Sequence, residues 1–484
     1  MLVTDHQLYY RHGWDGGCKP LTPARDRLAA EGLSFDRAYA ITPLCAPARR
    51  SLLCGYHPHT HRNVHNQNQK PFQETTYLEY LESAGYEQYF FGKWHAGPGD
   101  ASDHGAQGLS LPGYGNPYTS KEYTTYCHDL GIETATHTIY KKFWNSDTSH
   151  HFPELFEGNT SYRCNGTWCG ETAFGITNTD TRSHECGFLS YLAQKTLRKL
   201  VEQDSKPFHL RVDFWGPHQP YFPTSDYLDL YDPSQIKEYG SFRDKLENKP
   251  AIYRNMNQPI ADDQGSLIIP SIFDWQIWQQ LLRIAYAQTT MVDDAIGAIL
   301  GTLEESGLSE NTLVILTADH GDALASHGGM FDKGSFMTEE TVRIPLVVRF
   351  PGKVDKGIRT DRLVDTLDIV PTILEAAGIS EHKELPGTSL FEEAPRESIL
   401  LEHHGQGFRD TKRSRTVVTN QYKYTRNEDD IEELYDLSSD PYELNNLGLD
   451  SAHTNIVKEL AECMEYHLRV TNDPDRKIFF PNRS

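Results

Sequence analysis

Residues 311–317, Asn-Thr-Leu-Val-Ile-Leu-Thr, hold four apolar side chains in a row without the polar alternation of a half-exposed strand. Such a run is buried on both faces, which is the situation of a strand inside a parallel sheet covered by helices. Residues 1–4, 88–91, 208–215 and 344–350 read the same way. Between them lie helical patterns at 23–31, 75–84, 188–203, 275–306 and 366–377. In the second, Tyr77, Leu78 and Leu81 share one face and Gly85 is a stop. The fourth is expected to break near Gly297 or Gly301. The alternation predicts an α/β fold: a large, mostly parallel sheet flanked by helices. A chain of 484 residues exceeds the usual single core. The texture changes near Pro386, where short strands at 415–419, 422–425 and 433–437 precede a last helix at 454–469. These predict a larger domain over 1–385 and a smaller C-terminal α+β domain, with a short antiparallel sheet, over 386–484. Residues 97–185 and 222–270 read as irregular and are expected to wrap over a site.

The formal net charge of -22 argues against nucleic acid and against acidic membrane surfaces as partners. It leaves an anionic small molecule open, since a site needs only local positive charge. No apolar run approaches the ~20 residues of a membrane span. The chain as given shows no signal-peptide pattern, so a cytoplasmic location is the default expectation. Cys164 and Cys169 lack a second pair with metal-site spacing, so a structural zinc is not expected there. Asn159-Thr160-Ser161 and Asn165-Gly166-Thr167 fit glycosylation acceptors.

Cys45-Ala46-Pro47-Ala48-Arg49 carries the sharpest chemistry. Pro47 suits the first turn of a helix. Cys45 then falls just before the helix start, where free N–H groups and the dipole favour an anion. Arg49 lies one turn on and can lean back over the same spot. A nucleophile held where an anion is welcome is one reading; a buried cysteine opening a core helix is the other. Four polar clusters each follow an apolar strand: Asp5-His6, Lys93/His95, His218 and Asp319-His320. Ligands of open α/β sheets bind beyond the carboxyl ends of the strands, so the clusters should meet on one rim. Asp5 and Asp319 are hard oxygen donors suited to Ca²⁺ or Mg²⁺, and His320 widens the choice toward Mn²⁺ or Zn²⁺.

Cys45-Ala-Pro-Ala-Arg followed by Ser51-Leu-Leu-Cys-Gly55 resembles the signature of the type I sulfatases, C/S-x-P-x-R-x-x-x-L-x-G, in the alkaline phosphatase superfamily. Cys54 departs from it, standing where threonine is common. The lead-in Thr22 to Ala40, the stretch Thr317-Ala-Asp-His-Gly-Asp322 with Gly328-Gly329 and Asp332-Lys333-Gly334, and Tyr422 to Leu447 carry the resemblance over most of the chain. It implies an enzyme, a sulfuric ester hydrolase, whose Cys45 is converted to formylglycine by a formylglycine-generating or sulfatase-maturing enzyme. The implied metal ligands are Asp5, Cys45, Asp319 and His320. His6 replaces a common second aspartate and is kept as a further candidate. The ion is usually Ca²⁺, with Mg²⁺ or Mn²⁺ as alternatives. Lys93 and Lys333 resemble sulfate-binding lysines, His218 and Lys333 proton donors to the leaving oxygen, and His95 and Arg49 the groups that hold the formylglycine hydrate.

The expected substrate is a sulfate ester of a small molecule or glycan. A phosphonate monoester or phosphodiester hydrolase of the same superfamily is the alternative, because it shares the Asp-His pair. A binding protein on a decayed scaffold would need missing motif residues, and apart from position 6 none is missing. His57, His59, His61 and His65 follow the signature and read as a polar loop near the pocket, with metal binding as the lesser reading.

Overall fold

The structure is a computed structural model, and it describes residues 1–9, 17–67, 69–113, 115–142, 160–163, 173–202, 206–256, 273–333, 336–393, 395–406 and 411–481. In chain order its main elements are β1 (Leu2–Asp5), α1 (Pro23–Ala30), β2 (Leu33–Tyr39), α2 (Cys45–Cys54), α3 (Pro58–His61), α4 (Tyr77–Ser83), β3 (Glu87–Lys93), β4 (Gln107–Leu111), α5 (Lys121–Leu130) and β5 (Thr136–Lys142). There follow β6 (Thr160–Arg163), β7 (Ala173–Thr177), α6 (Glu185–Glu202), β8 (Phe208–Pro217), α7 (Trp275–Glu305), β9 (Val314–Ala318), β10 (Arg343–Ile344), β11 (Leu346–Arg349), β12 (Ile358–Asp365) and α8 (Ile369–Ala376). The chain closes with β13 (Ser398–His403), β14 (Ser414–Thr419), β15 (Tyr422–Asn427), β16 (Glu433–Asp436) and α9 (Thr454–Val470).

The main sheet has the order β10-β2-β11-β9-β1-β8-β3-β4, with β12 paired to β2. β1 runs parallel to β8 and β9, β3 parallel to β8 and β4, and β12 parallel to β2. β10 and β11 are the exceptions: β10 runs antiparallel to β2, and β11 runs antiparallel to both β2 and β9. β10 and β11 pair with the same edge of β2 with a one-residue slip at Pro345, which has no N–H to give the ladder.

Neighbouring residues on each central strand divide between two cores. Leu2, Leu316 and Val347 pack into one with α6 and α7; Val3, Ile315 and Val348 pack into the other with α2, α4 and α8. Both faces are therefore dry, which is why these strands lack alternation. α7 is one continuous helix of 31 residues, with Asp274 capping Ile277 N–H at 3.0 Å. The expected break does not occur; at Gly297 an added Cβ would come within 3.2 Å of Ala24 Cβ, so this glycine brings α1 close.

Residues 97–185 hold more regular structure than their composition indicates: β4, α5 and a small antiparallel sheet, β6-β5-β7. Tyr123, Tyr126 and Cys127 line the buried side of α5, a helical spacing written in aromatic residues. Three further strands, β2, β12 and β13, were not anticipated. The acceptor triplets at Asn159 and Asn165 and the pair Cys164 and Cys169 lie outside the described residues. The antiparallel sheet β13-β14-β15-β16 packs against α9 through Leu400, Val417, Tyr424, Leu460 and Met464. Among the described residues no helix is long and apolar enough to cross a membrane.

Candidate active site

The carboxyl ends of β1, β3, β8 and β9 lie side by side, and each delivers one polar cluster to the same rim. Two glycines make the approach possible. At Gly92, with φ of 111°, an added Cβ would meet Asp213 O at 2.0 Å; at Gly321 it would meet Glu340 O at 1.9 Å. No side chain fits at either place, and Lys93 and His320 are aimed by the backbone that remains.

Cys45 is the first residue of α2, with Leu44 as its cap and Pro47 two positions inside. It is therefore within the first turn rather than just before it. Ala46 N–H donates to Asn66 Oδ1 at 3.0 Å, so one of the helix-terminal donors is already taken. Cys45 Sγ stands 3.1 Å from His320 Nε2. The ligand atoms of Asp5, Cys45, Asp319 and His320 lie within 4.8 Å of one another, and so do those of Asp5, His6, Cys45 and His218. Two overlapping clusters thus share Asp5 and Cys45. Asp5 Oδ1 is buried without a hydrogen-bond partner.

Arg49 turns into the cluster that Cys45 shares with Asp5 and Asp319. Its guanidinium is buried among three carboxylates: Nη1 to Asp213 at 2.7 Å, Nε to Asp319 at 2.9 Å and Nη2 to Asp5 at 3.2 Å. Nη1 also donates to Lys93 O at 3.1 Å. Lys93 Nζ pairs with Asp5 Oδ2. Burial works to raise the Asp5 carboxyl, but Lys93 and Arg49 hold it well below the usual carboxylate range. Asp213 is in turn gripped by Arg211 at 2.6 and 2.9 Å.

His6 adopts a left-handed backbone, φ 62°, and its N–H donates to Asp319 Oδ1 at 3.2 Å. Its ring is buried. Nδ1 lies 3.1 Å from Asp322 Oδ2 and Nε2 lies 2.5 Å from Lys333 Nζ. Burial, with His218 and Lys333 adding to it, drives its pKa well below normal, so the ring is neutral. An ammonium can only donate, so Nε2 accepts and Nδ1–H donates to Asp322. Asp322 also accepts from Tyr221 Oη at 3.2 Å and from Leu324 N–H at 2.9 Å; burial pushes its carboxyl up to about 7. Lys333 Nζ reaches Asp332 Oδ1 at 3.0 Å. His218 is half-buried, its ring 4.0 Å from that of His6, while His320 is 4.4 Å from His6 on another side. His95 Nε2 faces Asn66 O at 3.3 Å, and burial, with Lys93 and Arg49 adding to it, keeps the imidazole neutral.

Asp5, His6, Cys45, Arg49, Lys93, His95, His218, Asp319, His320 and Lys333 thus fall in one region, whereas His57 and His59 turn to Glu402. Three were missed: Asn66, Asp213 and Asp322. Arg211 and Asp213, two apart in the apolar strand His-Leu-Arg-Val-Asp-Phe-Trp, point the same way, and two charges on one face of a buried strand were the available signal.

Comparison with known proteins follows this geometry. The family model described as Sulfatase matches residues 3–379, and that described as N-sulphoglucosamine sulphohydrolase, C-terminal, matches residues 326–469. An uncharacterized sulfatase, YidJ, of Escherichia coli is 28% identical, over 98% of this chain and 88% of that one. An N-acetylglucosamine-6-O-sulfatase of Bacteroides thetaiotaomicron is 25% identical, over 98% of this chain and 87% of that one. The crystal structure of the phosphonate monoester hydrolase of Agrobacterium radiobacter shares the fold, with a TM-score of 0.75 and 21% identity over 97% of this chain and 94% of that one.

Proposed function

The chain belongs to the sulfatase family, and from that premise we propose that it hydrolyses a sulfate ester of a carbohydrate or other small molecule, through a formylglycine made from Cys45 by a maturing enzyme and beside one divalent cation. The observation that carries this reading is the meeting of Asp5, Asp319 and His320 around Cys45. The buried, unpartnered Asp5 Oδ1 is the kind of oxygen a cation satisfies. Asp5, Asp319, His320 and the side chain made from Cys45 would hold the ion, with His6 as a further donor. Oxygen donors favour Ca²⁺, and the imidazoles admit Mg²⁺ or Mn²⁺. The cation would supply polarisation of the sulfate oxygens, and the hydrated aldehyde would supply one hydroxyl as nucleophile and a second whose deprotonation and collapse to the carbonyl would release sulfate.

This chain's own residues do the rest. Lys93 and Lys333 bring positive charge to the non-bridging sulfate oxygens, where charge must be balanced as the ester bond breaks. His218, half-buried at the edge of the cluster, is placed to give a proton to the leaving oxygen, with Lys333 as the other candidate. His95 is neutral and can accept one. Arg49 fixes the three carboxylates against one another and, from beside Asp5 and Asp319, is a candidate to hold the formylglycine hydrate. Asp322 and Tyr221 act at one remove, by orienting His6.

A phosphonate monoester or phosphodiester hydrolase is the second reading, favoured by the Asp319-His320 pair beside Cys45. The test is an assay of aryl sulfate and sulfated sugars against aryl phosphonate and phosphodiester, on protein with verified aldehyde at Cys45. Faster sulfate release supports the proposal. Preferential cleavage of the phosphorus esters overturns it in favour of the second reading.

A further inference from the structure

His57 and His59 flank Pro58 at the start of α3, far in sequence from Glu402 on β13, yet the three converge in a buried cluster that shares no residue with those at Cys45. Their ligand atoms lie within 4.8 Å of one another. Both Nδ1 atoms aim at the same oxygen: His59 Nδ1 is 2.5 Å from Glu402 Oε1, and His57 Nδ1 is 2.9 Å from it. The His57 nitrogen is buried, on a side chain 8% exposed, and meets Glu402 off the line of a good hydrogen bond. The two rings lie nearly parallel, 5.2 Å apart.

The surroundings orient these donors. His59 Nε2–H donates to Thr471 O at 3.0 Å, which leaves Nδ1 directed at Glu402. An imidazole that gives one N–H to a backbone carbonyl and presents its other nitrogen inward is the usual posture of a metal ligand. Glu402 Oε2 accepts from His59 N–H at 3.1 Å and lies 3.0 Å from His404 Nε2, so the carboxylate is fixed from both sides. Asp473 Oδ2 is 3.7 Å from His59 Nδ1, and Arg415 holds Asp473 and Asp475. His61 and His467 stand beside these residues, and burial keeps both neutral.

We propose that His57 Nδ1, His59 Nδ1 and the Glu402 carboxylate form a second divalent-metal site, distinct from the centre at Cys45, that clamps α3 to β13 and the turn after α9. Two imidazoles and one carboxylate suit Zn²⁺ or a metal of similar softness better than Ca²⁺. On binding, His59 releases its Nδ1 proton to solvent and keeps the Nε2–H bond to Thr471. The two nitrogens and the oxygen then separate slightly to admit the ion. The site joins segments more than 300 residues apart, so an ion there stabilises the folded chain in proportion to its occupancy.

The experiment uses the full chain, stripped by chelation and titrated with Zn²⁺ alone. Bound zinc is counted by elemental analysis after desalting, and the unfolding temperature is followed in parallel. His57→Gln is the main variant, because it leaves the His59–Glu402 pair intact; His59→Gln is the second. The catalytic centre is common to all three proteins and cancels. The expected result is one more equivalent of zinc in the wild type than in His57→Gln, and a zinc-dependent rise in unfolding temperature that both variants lose in part. Equal stoichiometry and equal thermal shifts in wild type and His57→Gln would overturn the proposal and leave the cluster as a hydrogen-bonded junction.

Discussion

Replacing Arg49 by methionine removes a buried cation while keeping the length of the side chain. The guanidinium touches Asp5, Asp213 and Asp319. Asp5 retains Lys93 and Asp213 retains Arg211. Asp319 keeps the backbone N–H groups of His6 and His320, at 3.2 and 2.9 Å, with the His320 ring nitrogen 3.9 Å away, and loses the arginine bonded to its side chain. Breaking a buried ion pair from one side costs about 3–5 kcal/mol, because the stranded charge has no solvent to turn to. Urea unfolding of metal-free protein at pH 7 should therefore show a loss of that size. The deficit has a sign in pH. A stranded buried carboxylate has its folded pKa raised, so its penalty is absent where it is protonated in both states and appears as pH rises above the ordinary carboxylate value. The variant should come closest to wild type in acid. A divalent cation should also narrow the gap, since it supplies the missing charge. A loss under about 1 kcal/mol at pH 7, or one that neither pH nor cation changes, would refute the view that Arg49 neutralises the carboxylates of this site.

Three further outcomes are expected. Burial opposes charge on His59, but Glu402 and Asp473 raise its pKa to about 9, so in metal-free protein its contribution of about 3 kcal/mol is complete below pH 6.5 and is lost as pH rises through 9; a wild-type-minus-His59→Gln difference that stays constant from pH 6 to 10 in urea unfolding would contradict this. Asp322→Ala removes the acceptor that orients His6 and should weaken divalent-metal binding about 10–100-fold by calorimetry, whereas unchanged affinity would show that His6 is no ligand. Asn66→Ala frees Ala46 N–H and should cost about 1 kcal/mol in unfolding free energy, with no loss expected if water replaces the amide.

Much of this arrangement was legible in the chain. Strands such as 311–317 announced themselves because burial on both faces removes the need for polar residues. The residues at their ends, Asp5, Lys93, His218 and Asp319, followed from where a parallel sheet presents its ligand side. The misses have physical causes. β12 begins Ile-Arg-Thr-Asp-Arg, largely exposed on the sheet edge, so its pattern resembles a loop. α5 buries tyrosines instead of aliphatic residues. Arg49 was placed by its distance along the helix, and that distance could not show that Asp213, 164 residues on, would also bind it. Asn66 carries no pattern at all; only the folded path of residues 57–66 brings it to the N-terminus of α2.

The central claim is that Cys45, once converted, is the reacting group at a metal-bearing sulfate site. It is tested most directly by measuring inorganic sulfate release from one aryl sulfate across preparations whose aldehyde content at the Cys45 peptide is quantified by mass spectrometry. The account predicts a rate proportional to aldehyde fraction, passing through zero for unmodified thiol and abolished by Asp319→Asn. Sulfate release that is independent of the aldehyde fraction would contradict it.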